Sequence, residues 1–134
     1  MREILFKAKR LDNGEWVEGY YQKRFDLDGS EQHLIFWSKS YTVWEYAEID
    51  PDTICQYTGL VDKNGQKIWE NDICEMVYDG VVNTYVIVWD KDELDFKETN
   101  GKENYGRNYE YLGCCEEIIV IGNIFDNPDL LEVE

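Results

Sequence analysis

The sequence predicts an all-β fold, in which a hairpin-rich N-terminal layer is followed by a small, strongly bent barrel of the SH3-like kind. Aromatic residues make up 15% of the 134 residues, with ten Tyr and five Trp, and these side chains favour strands. Short apolar–polar alternations are separated by Asn-Gly and Asp-Gly pairs, which are turn signals. No segment carries a 3.6-residue apolar stripe longer than about two turns.

Hairpin signals fill the first part of the chain. Residues 2–9 alternate apolar and polar side chains, and residues 15–21 resume the alternation after the Asn-Gly pair at 13–14. Asn-Gly is a strong hairpin signal because both turn positions favour positive φ. Residues 33–43 are apolar and aromatic, which predicts one strand or a pair. The Asp-Pro-Asp sequence at residues 50–52 predicts a turn or a helix start.

The barrel prediction rests on residues 72–126. A two-residue turn at residues 79–80 aligns the strand patterns on its two sides. This register places four apolar side chains on one predicted buried face: Ile73, Val77, Val82 and Val86. Residues 96–112 predict a polar hairpin, and residues 118–121 predict a further apolar strand.

The predicted organisation has three parts. Residues 1–50 form an N-terminal β subdomain, which is the expected oligomer contact. Residues 51–71 form a hairpin connector. Residues 72–134 form the SH3-like barrel and end in a short C-terminal tail.

The net charge of −16 is unevenly distributed. Residues 1–43 are neutral, with seven Lys/Arg and seven Asp/Glu, so residues 44–134 carry the whole excess. Such a chain repels phosphate backbones and anionic lipids, and the sequence therefore predicts neither a nucleic-acid nor a membrane partner. An acidic surface can instead bind a basic protein, or imitate DNA and occupy a DNA-binding protein. The absence of a signal-peptide pattern and of a long apolar run predicts the cytoplasm of the host cell.

Three separated segments carry a family resemblance. The middle reads QYTGLVDKNG at residues 56–65 and IWENDI at residues 68–73, and the end reads VIGNIFDNPDLL at residues 120–131. With MREI and NGEWVEGY near the start, the combination resembles the YopX family of phage and prophage proteins. The resemblance implies an all-β protein from a phage or prophage of Gram-positive type, and it brings no catalytic residue. Asn71 and Trp69 differ from the commonest family pattern, which has Gly and Tyr there, but Asn tolerates positive φ.

The stretch at residues 58–73, rich in carboxylates and amides, is the first candidate for a ligand site. A calcium loop that starts at Asp62 would need Gly at its sixth position and Glu at its twelfth, and these positions hold Lys67 and Ile73. A phosphate site needs a glycine-rich turn that enters a helix, whereas this turn leads into a strand. We therefore predict a hairpin without metal-binding or cofactor-binding residues. A nonstandard oxygen cluster is the alternative.

Other polar clusters give no stronger signal. The acidic loop at residues 90–95 is expected to be solvated, with a bound divalent cation as the alternative. Zinc needs convergent ligands, but the cysteines lack paired spacing and His33 is the only histidine. A His-based nucleophilic centre would have to join His33 to a nearby serine, and no nucleophile elbow is present. The residues considered are Asp90, Asp92, Glu93, Asp95, Cys55, Cys74, Cys114, Cys115, Ser30, Ser38 and Ser40. We predict no catalytic residue and no cofactor.

An aromatic run lies at the junction of the neutral and acidic parts. It consists of Phe36, Trp37, Tyr41, Trp44 and Tyr46. Aromatic side chains with little charge around them are typical of cores and subunit interfaces, and base stacking or peptide binding is the alternative. The preferred function is a non-enzymatic, self-associating phage accessory protein with an acidic binding surface. The alternatives are an adaptor or DNA-mimic-like module that binds a host protein, and a small metal-dependent hydrolase.

Overall fold

The structure is a computed structural model that describes residues 4–78, 80–90, 95–99, 109–111 and 117–131. These residues form eleven strands and two 3₁₀ turns, and the all-β prediction is confirmed. The strands are β1 Phe6–Lys9, β2 Trp16–Phe25, β3 Glu31–Ser38, β4 Trp44–Glu48, β5 Cys55–Val61, β6 Lys67–Trp69, β7 Asp72–Tyr78, β8 Val81–Asp90, β9 Asp95–Thr99, β10 Tyr109–Tyr111 and β11 Glu117–Asn123. The 3₁₀ turns are Pro51–Thr53 and Pro128–Leu131.

The strands lie in two antiparallel sheets. The first sheet has the order β4-β3-β2-β1-β5-β6, and the second has the order β10-β9-β8-β7-β11. The chain divides into two compact units, Met1–Tyr57 and Thr58–Glu134, so the division falls within β5. The subdomain boundaries expected at residues 50 and 71 stay a prediction.

The first unit is a series of hairpins around one core. Ala8, Ile35 and Ile49 are fully buried at its centre. An isolated bridge between Arg10 and Ile49 joins the end of β1 to the end of β4. Because β1 and β4 lie three strands apart in the sheet order, this bridge shows that the sheet folds back on itself.

The predicted turns are present, but their backbone conformation corrects one expectation. Gly14, Gly29 and Gly65 have positive φ, whereas the residues before them do not. Each glycine N–H donates to a carbonyl three or four residues earlier in the chain. The loops are therefore three or four residues long and need one left-handed residue at their end. The expectation that both positions of Asn13-Gly14 have positive φ is wrong for this reason.

The turn predicted at residues 50–52 is a 3₁₀ turn. The Asp50 side chain accepts a hydrogen bond from the Asp52 N–H at 3.0 Å, and Pro51 occupies the first position of the turn. This N-terminal cap confirms that the Asp-Pro-Asp sequence starts a helical turn.

The register predicted between β7 and β8 is confirmed, because Ile73 pairs with Val86 and Val77 with Val82. The predicted buried face is wrong at its outer end, since Val82 is 60% exposed. The core of the second unit lies mainly on the opposite side of the pleat. It consists of Ile68, Cys74, Met76 and Ile87, all fully buried. Ile73 is fully buried as well, so the start of β7 is covered on both faces.

The five-stranded sheet of the second unit agrees with a bent barrel that stays open in the described residues. β9 pairs antiparallel with β10, as the hairpin predicted at residues 96–112 requires. β11 returns to pair with β7, and its register shifts between Val120 and Gly122. Such an irregularity bends a strand. β10 and β11 lie at the two ends of the strand order, and no described pairing joins them.

Candidate functional site

The hairpin between β5 and β6 is built around one buried carboxylate. Asp62 is only 6% exposed, and its Oδ1 accepts the N–H groups of Asn64 at 2.9 Å and Gln66 at 2.8 Å. Its Oδ2 accepts the N–H of Val120 at 3.0 Å. The Asp62 side chain therefore closes its own turn and fastens that turn to β11.

The electrostatics of Asp62 follow from these bonds. Burial raises the pKa of this carboxyl, but the hydrogen bonds from Val120, Gln66 and Asn64 outweigh burial and hold the pKa below its usual value. Three N–H dipoles point their positive ends at the carboxylate, which disfavours a cation at the same oxygens. Within the described residues, no group of three or more His, Cys, Asp or Glu side chains is arranged to hold a metal ion.

Asn71 and Asp72, in the second half of the stretch at residues 58–73, are also held by hydrogen bonds to backbone groups. Asp72 is 2% exposed, and its Oδ2 accepts the N–H of Trp69 at 2.8 Å. Asn71 has φ of 71°, and its N–H donates to the Ile87 carbonyl at 2.8 Å. Its carbonyl accepts the N–H of Ile124 at 3.1 Å. The turn from β6 into β7 is thus tied to β8 and to the segment that follows β11.

The C-terminal motif forms a similar brace. The Asn123 Oδ1 accepts the N–H groups of Phe125 and Asp126, both at 2.9 Å. The Asn127 side chain reaches back to the Asn123 N–H at 3.3 Å. A Cβ at Gly122 would lie 2.5 Å from the Asn127 Oδ1, so this close approach requires glycine. The side chains of Asp62, Asp72, Asn123 and Asn127 in the middle and end motifs therefore support the fold through backbone hydrogen bonds.

His33 and two of the nearby serines, Ser30 and Ser38, bind separate partners. His33 Nδ1 lies 2.5 Å from the Tyr21 hydroxyl, and its Nε2 lies 3.4 Å from Glu31. The hydroxyl of Ser30 donates to Asp28, and that of Ser38 donates to the carbonyl of Ser40. These serine hydroxyls support local turns.

The structure describes two of the four cysteines and the two ends of the acidic loop. Cys55 and Cys74 are buried thiols, and the Cys55 thiol donates to the Thr53 carbonyl at 3.3 Å. Cys114, Cys115 and residues 91–94 of the acidic loop lie outside the described residues. The cation alternative for that loop therefore stays a prediction.

Four aromatic side chains lie together on one face of the β2-β3-β4 sheet. We call Tyr20, Phe36, Trp44 and Tyr46 the aromatic face. The strand pairs Tyr20–Phe36 and Phe36–Tyr46 place them on the same side. Ring centroids lie 6.0 Å apart for Tyr20–Trp44 and 5.3 Å apart for Phe36–Tyr46. Tyr20, Trp44 and Tyr46 are 52%, 53% and 57% exposed.

The predicted aromatic run divides between core and surface. Trp37 packs against the first core, whereas Phe36, Trp44 and Tyr46 join the aromatic face. Tyr41 is fully exposed in the turn before β4. Tyr20 was not among the predicted residues, although the alternation along β2 could have placed it opposite to its neighbour Tyr21.

A groove of about 440 Å³ lies along β4, lined by Arg10, Trp37, Trp44, Glu45 and Tyr46. The ionic groups beside it are paired. Lys39 lies 3.1 Å from Glu45, and Arg10 makes two hydrogen bonds to Asp12, at 2.9 and 2.7 Å. This contact raises the pKa of Arg10 and lowers that of Asp12. The groove is therefore aromatic with balanced charges.

Within the described part of the chain, no helix has the length and hydropathy of a membrane-spanning segment. Among curated proteins, none matches the chain. The crystal structure of protein EF1440 from Enterococcus faecalis is similar to it, with 27% sequence identity and a TM-score of 0.56. The alignment covers 98% of this chain and 100% of that one.

The sequence also matches the family model described as YopX protein, over residues 5–132. This range contains the middle and end motifs whose Asp and Asn side chains brace the second unit. The family resemblance drawn from those motifs is confirmed, and the chain belongs to the YopX family.

Proposed function

We propose that this chain is a non-enzymatic accessory protein of a phage or prophage that self-associates through the aromatic face of its first unit. The observation that carries the proposal is that face, which consists of two ring pairs on neighbouring strands and in which three of the four rings are more than half exposed. A single exposed apolar side chain is ordinary, but a contiguous cluster is typical of an interaction site. Tyr and Trp are also enriched in protein–protein interfaces.

The charge distribution favours the first unit, which carries the aromatic face, for contact between two copies of the chain. Two chains that each carry −16 repel one another, and the repulsion is smallest where the local charge is balanced. Residues 1–43 are neutral and include Tyr20 and Phe36. Arg24 lies over the Tyr46 ring, 5.7 Å from its centroid, which adds positive charge beside the face.

The bonding of the family motifs supports a non-catalytic role. Asp62 and Asp72 are buried carboxylates; Asp62 accepts three backbone N–H groups, and Asp72 accepts that of Trp69. An acid–base catalyst must exchange protons with a substrate within hydrogen-bond reach. Carboxylates that hold turns closed inside the protein are poorly placed for that task.

The proposal includes an acidic binding surface on the second unit. Residues 58–134 contain eighteen Asp/Glu and six Lys/Arg. A basic host protein is the partner that this charge favours, and its binding should weaken steeply with salt. An affinity pull-down from host lysate at low and high ionic strength tests this part. Recovery of no basic protein at low ionic strength would overturn it.

Sedimentation velocity of three proteins tests self-association. The wild type should form dimers or larger species at about 100 μM, because small interfaces give micromolar affinities. The double variant W44A/Y46A should sediment as a monomer. Y41A is the matched control, since it removes an even more exposed aromatic ring outside the aromatic face. If the double variant associates as strongly as Y41A, the aromatic face is not the contact.

A further inference from the structure

The outer edge of β4 is open over two residues. β4 is the last strand of its sheet, and the Ile49 N–H bonds to the His33 carbonyl at 2.9 Å. Antiparallel strands alternate between hydrogen-bonded and non-bonded pairs. The Ile49–His33 bond therefore makes Ala47 and Glu45 point their backbone groups towards β3. The N–H and C=O groups of Trp44 and Tyr46 point away from β3, towards the open edge.

The open edge is bounded at both ends. The Glu48 carbonyl, which also points outwards, accepts the Leu11 N–H at 3.0 Å. At the other end, β4 begins at Trp44, and the next outward-facing position, Thr42, lies in the bend that precedes the strand. The open length is therefore limited to Trp44, Glu45 and Tyr46.

The groove along β4 supports this assignment. Successive residues of a strand point to opposite faces of the sheet. A concavity lined by Trp44, Glu45 and Tyr46 together must therefore run along the edge of the strand. The sequence of β4, WEYAE, contains neither Lys nor Pro, which are residues that commonly protect an edge strand from pairing.

We propose that two copies of the chain pair through the β4 edge, antiparallel, with a two-fold axis at Glu45. In this register Trp44 lies opposite Tyr46 of the partner subunit, and the two outward-facing residues of each copy exchange four backbone hydrogen bonds. An axis at Trp44 or Tyr46 would leave one outward-facing residue without an open partner. The inference rests on the proposed self-association and specifies how it occurs.

A second copy fits this edge better than an unrelated peptide. The open edge is self-complementary. Trp44 and Tyr46 both direct their backbone N–H and C=O groups outwards, and a two-fold axis at Glu45, between them, pairs each with the other residue of the second copy. The register also sets an aromatic ring opposite an aromatic ring on both sides of the axis, which stabilises cross-strand pairs. The two Glu45 side chains face one another, but each lies 3.1 Å from its own Lys39, so the charges at the axis are compensated.

Cysteine crosslinking tests the register. At a non-bonded antiparallel pair the Cα atoms lie about 4.5 Å apart, within the range that a disulfide spans. E45C should therefore crosslink on mild oxidation, in a background where Cys114 and Cys115 are Ser. E48C is the matched control, because it changes a Glu of the same strand that would lie about 20 Å from its counterpart. We expect about tenfold more crosslinked dimer from E45C than from E48C.

A second measurement uses the unmodified protein. Backbone hydrogen exchange at Trp44 and Tyr46 should slow as the protein concentration rises, because dimerisation bonds these outward N–H groups. If the wild type sediments as a dimer but E45C does not crosslink and both amides keep their exchange rates, the edge register is wrong and the proposed function stands. If the wild type is a monomer, both fail.

Discussion

Replacing Asp62 by Asn tests whether the main family motif acts as a brace. The substitution keeps the size of the side chain and removes its charge. One oxygen can still accept the N–H groups of Asn64 and Gln66. The new NH₂ group then faces the Val120 N–H, so that a donor meets a donor where Oδ2 now accepts at 3.0 Å.

The expected loss follows from these three bonds. Two bonds change from charge-assisted to neutral, which costs roughly 1 kcal/mol each, and one buried N–H loses its partner at a cost of about 1–3 kcal/mol. These costs add up to about 3–5 kcal/mol. Because the structure around the Val120 N–H can relax and reduce part of this cost, D62N should lower the free energy of unfolding by about 3 kcal/mol. For a chain of this size that corresponds to a fall in Tm of about 10 °C.

The same bonds predict a pH dependence. The pKa of Asp62 is lowered in the folded protein, so the unfolded chain binds more protons than the folded chain between the two pKa values. Stability from this group is therefore fully present above its unfolded pKa, near 4, and is lost as the pH falls through its folded pKa. The difference between wild type and D62N should be largest at neutral pH and should shrink at acidic pH.

Urea unfolding at pH 7 and at pH 3 provides the measurement. D129N is the control, because Asp129 is exposed and its substitution also removes one negative charge. D62N and D129N each lose one negative charge, so the general effect of that charge on stability cancels when the two variants are compared. If D62N is as stable as D129N at pH 7, or if its deficit does not shrink at pH 3, the brace interpretation is refuted.

Three further predictions follow from other residues. Asn71→Ala should be about 1–2 kcal/mol less stable in urea unfolding than Asn71→Gly, because φ at this position is 71°; equal effects would contradict this. Gly19→Ala should cost about 3 kcal/mol or more, because its Cβ would collide with the Phe36 carbonyl oxygen, and an unchanged Tm would refute the collision. Ca²⁺, Mg²⁺, Mn²⁺ and Zn²⁺ should leave the Tm unchanged, since the Asp62 and Asp72 carboxylates are bound to the backbone; a saturable increase with any ion would contradict this prediction.

Local sequence signals predicted the hairpins well. The β7–β8 register follows from a two-residue turn and matched strand patterns, and it is confirmed at Ile73–Val86 and Val77–Val82. The buried face was harder to predict, because both sides of β7 are apolar near its start. The choice between them depends on Ile68 and Ile87, which reach the core from other strands.

The role of Asp62 could not be predicted from its neighbours. Asn64 and Gln66 are within reach of any turn analysis, but Val120 lies 58 positions away in sequence. In the sequence, a carboxylate that is held by backbone N–H groups has the same neighbours as a calcium ligand. The Val120 N–H, which is the third hydrogen-bond donor to Asp62, distinguishes the two. The open edge of β4 depends in the same way on the strand order, because the sequence WEYAE is equally compatible with a central strand.

The mass of the protein in solution, measured by light scattering over a concentration series, tests the central claim most directly. The account predicts a mass that rises from 15.9 kDa towards twice that value, with a midpoint on the order of 10 μM. For W44A/Y46A the midpoint of this rise should shift to a much higher protein concentration. A wild-type mass of 15.9 kDa that is maintained up to about 200 μM would contradict it.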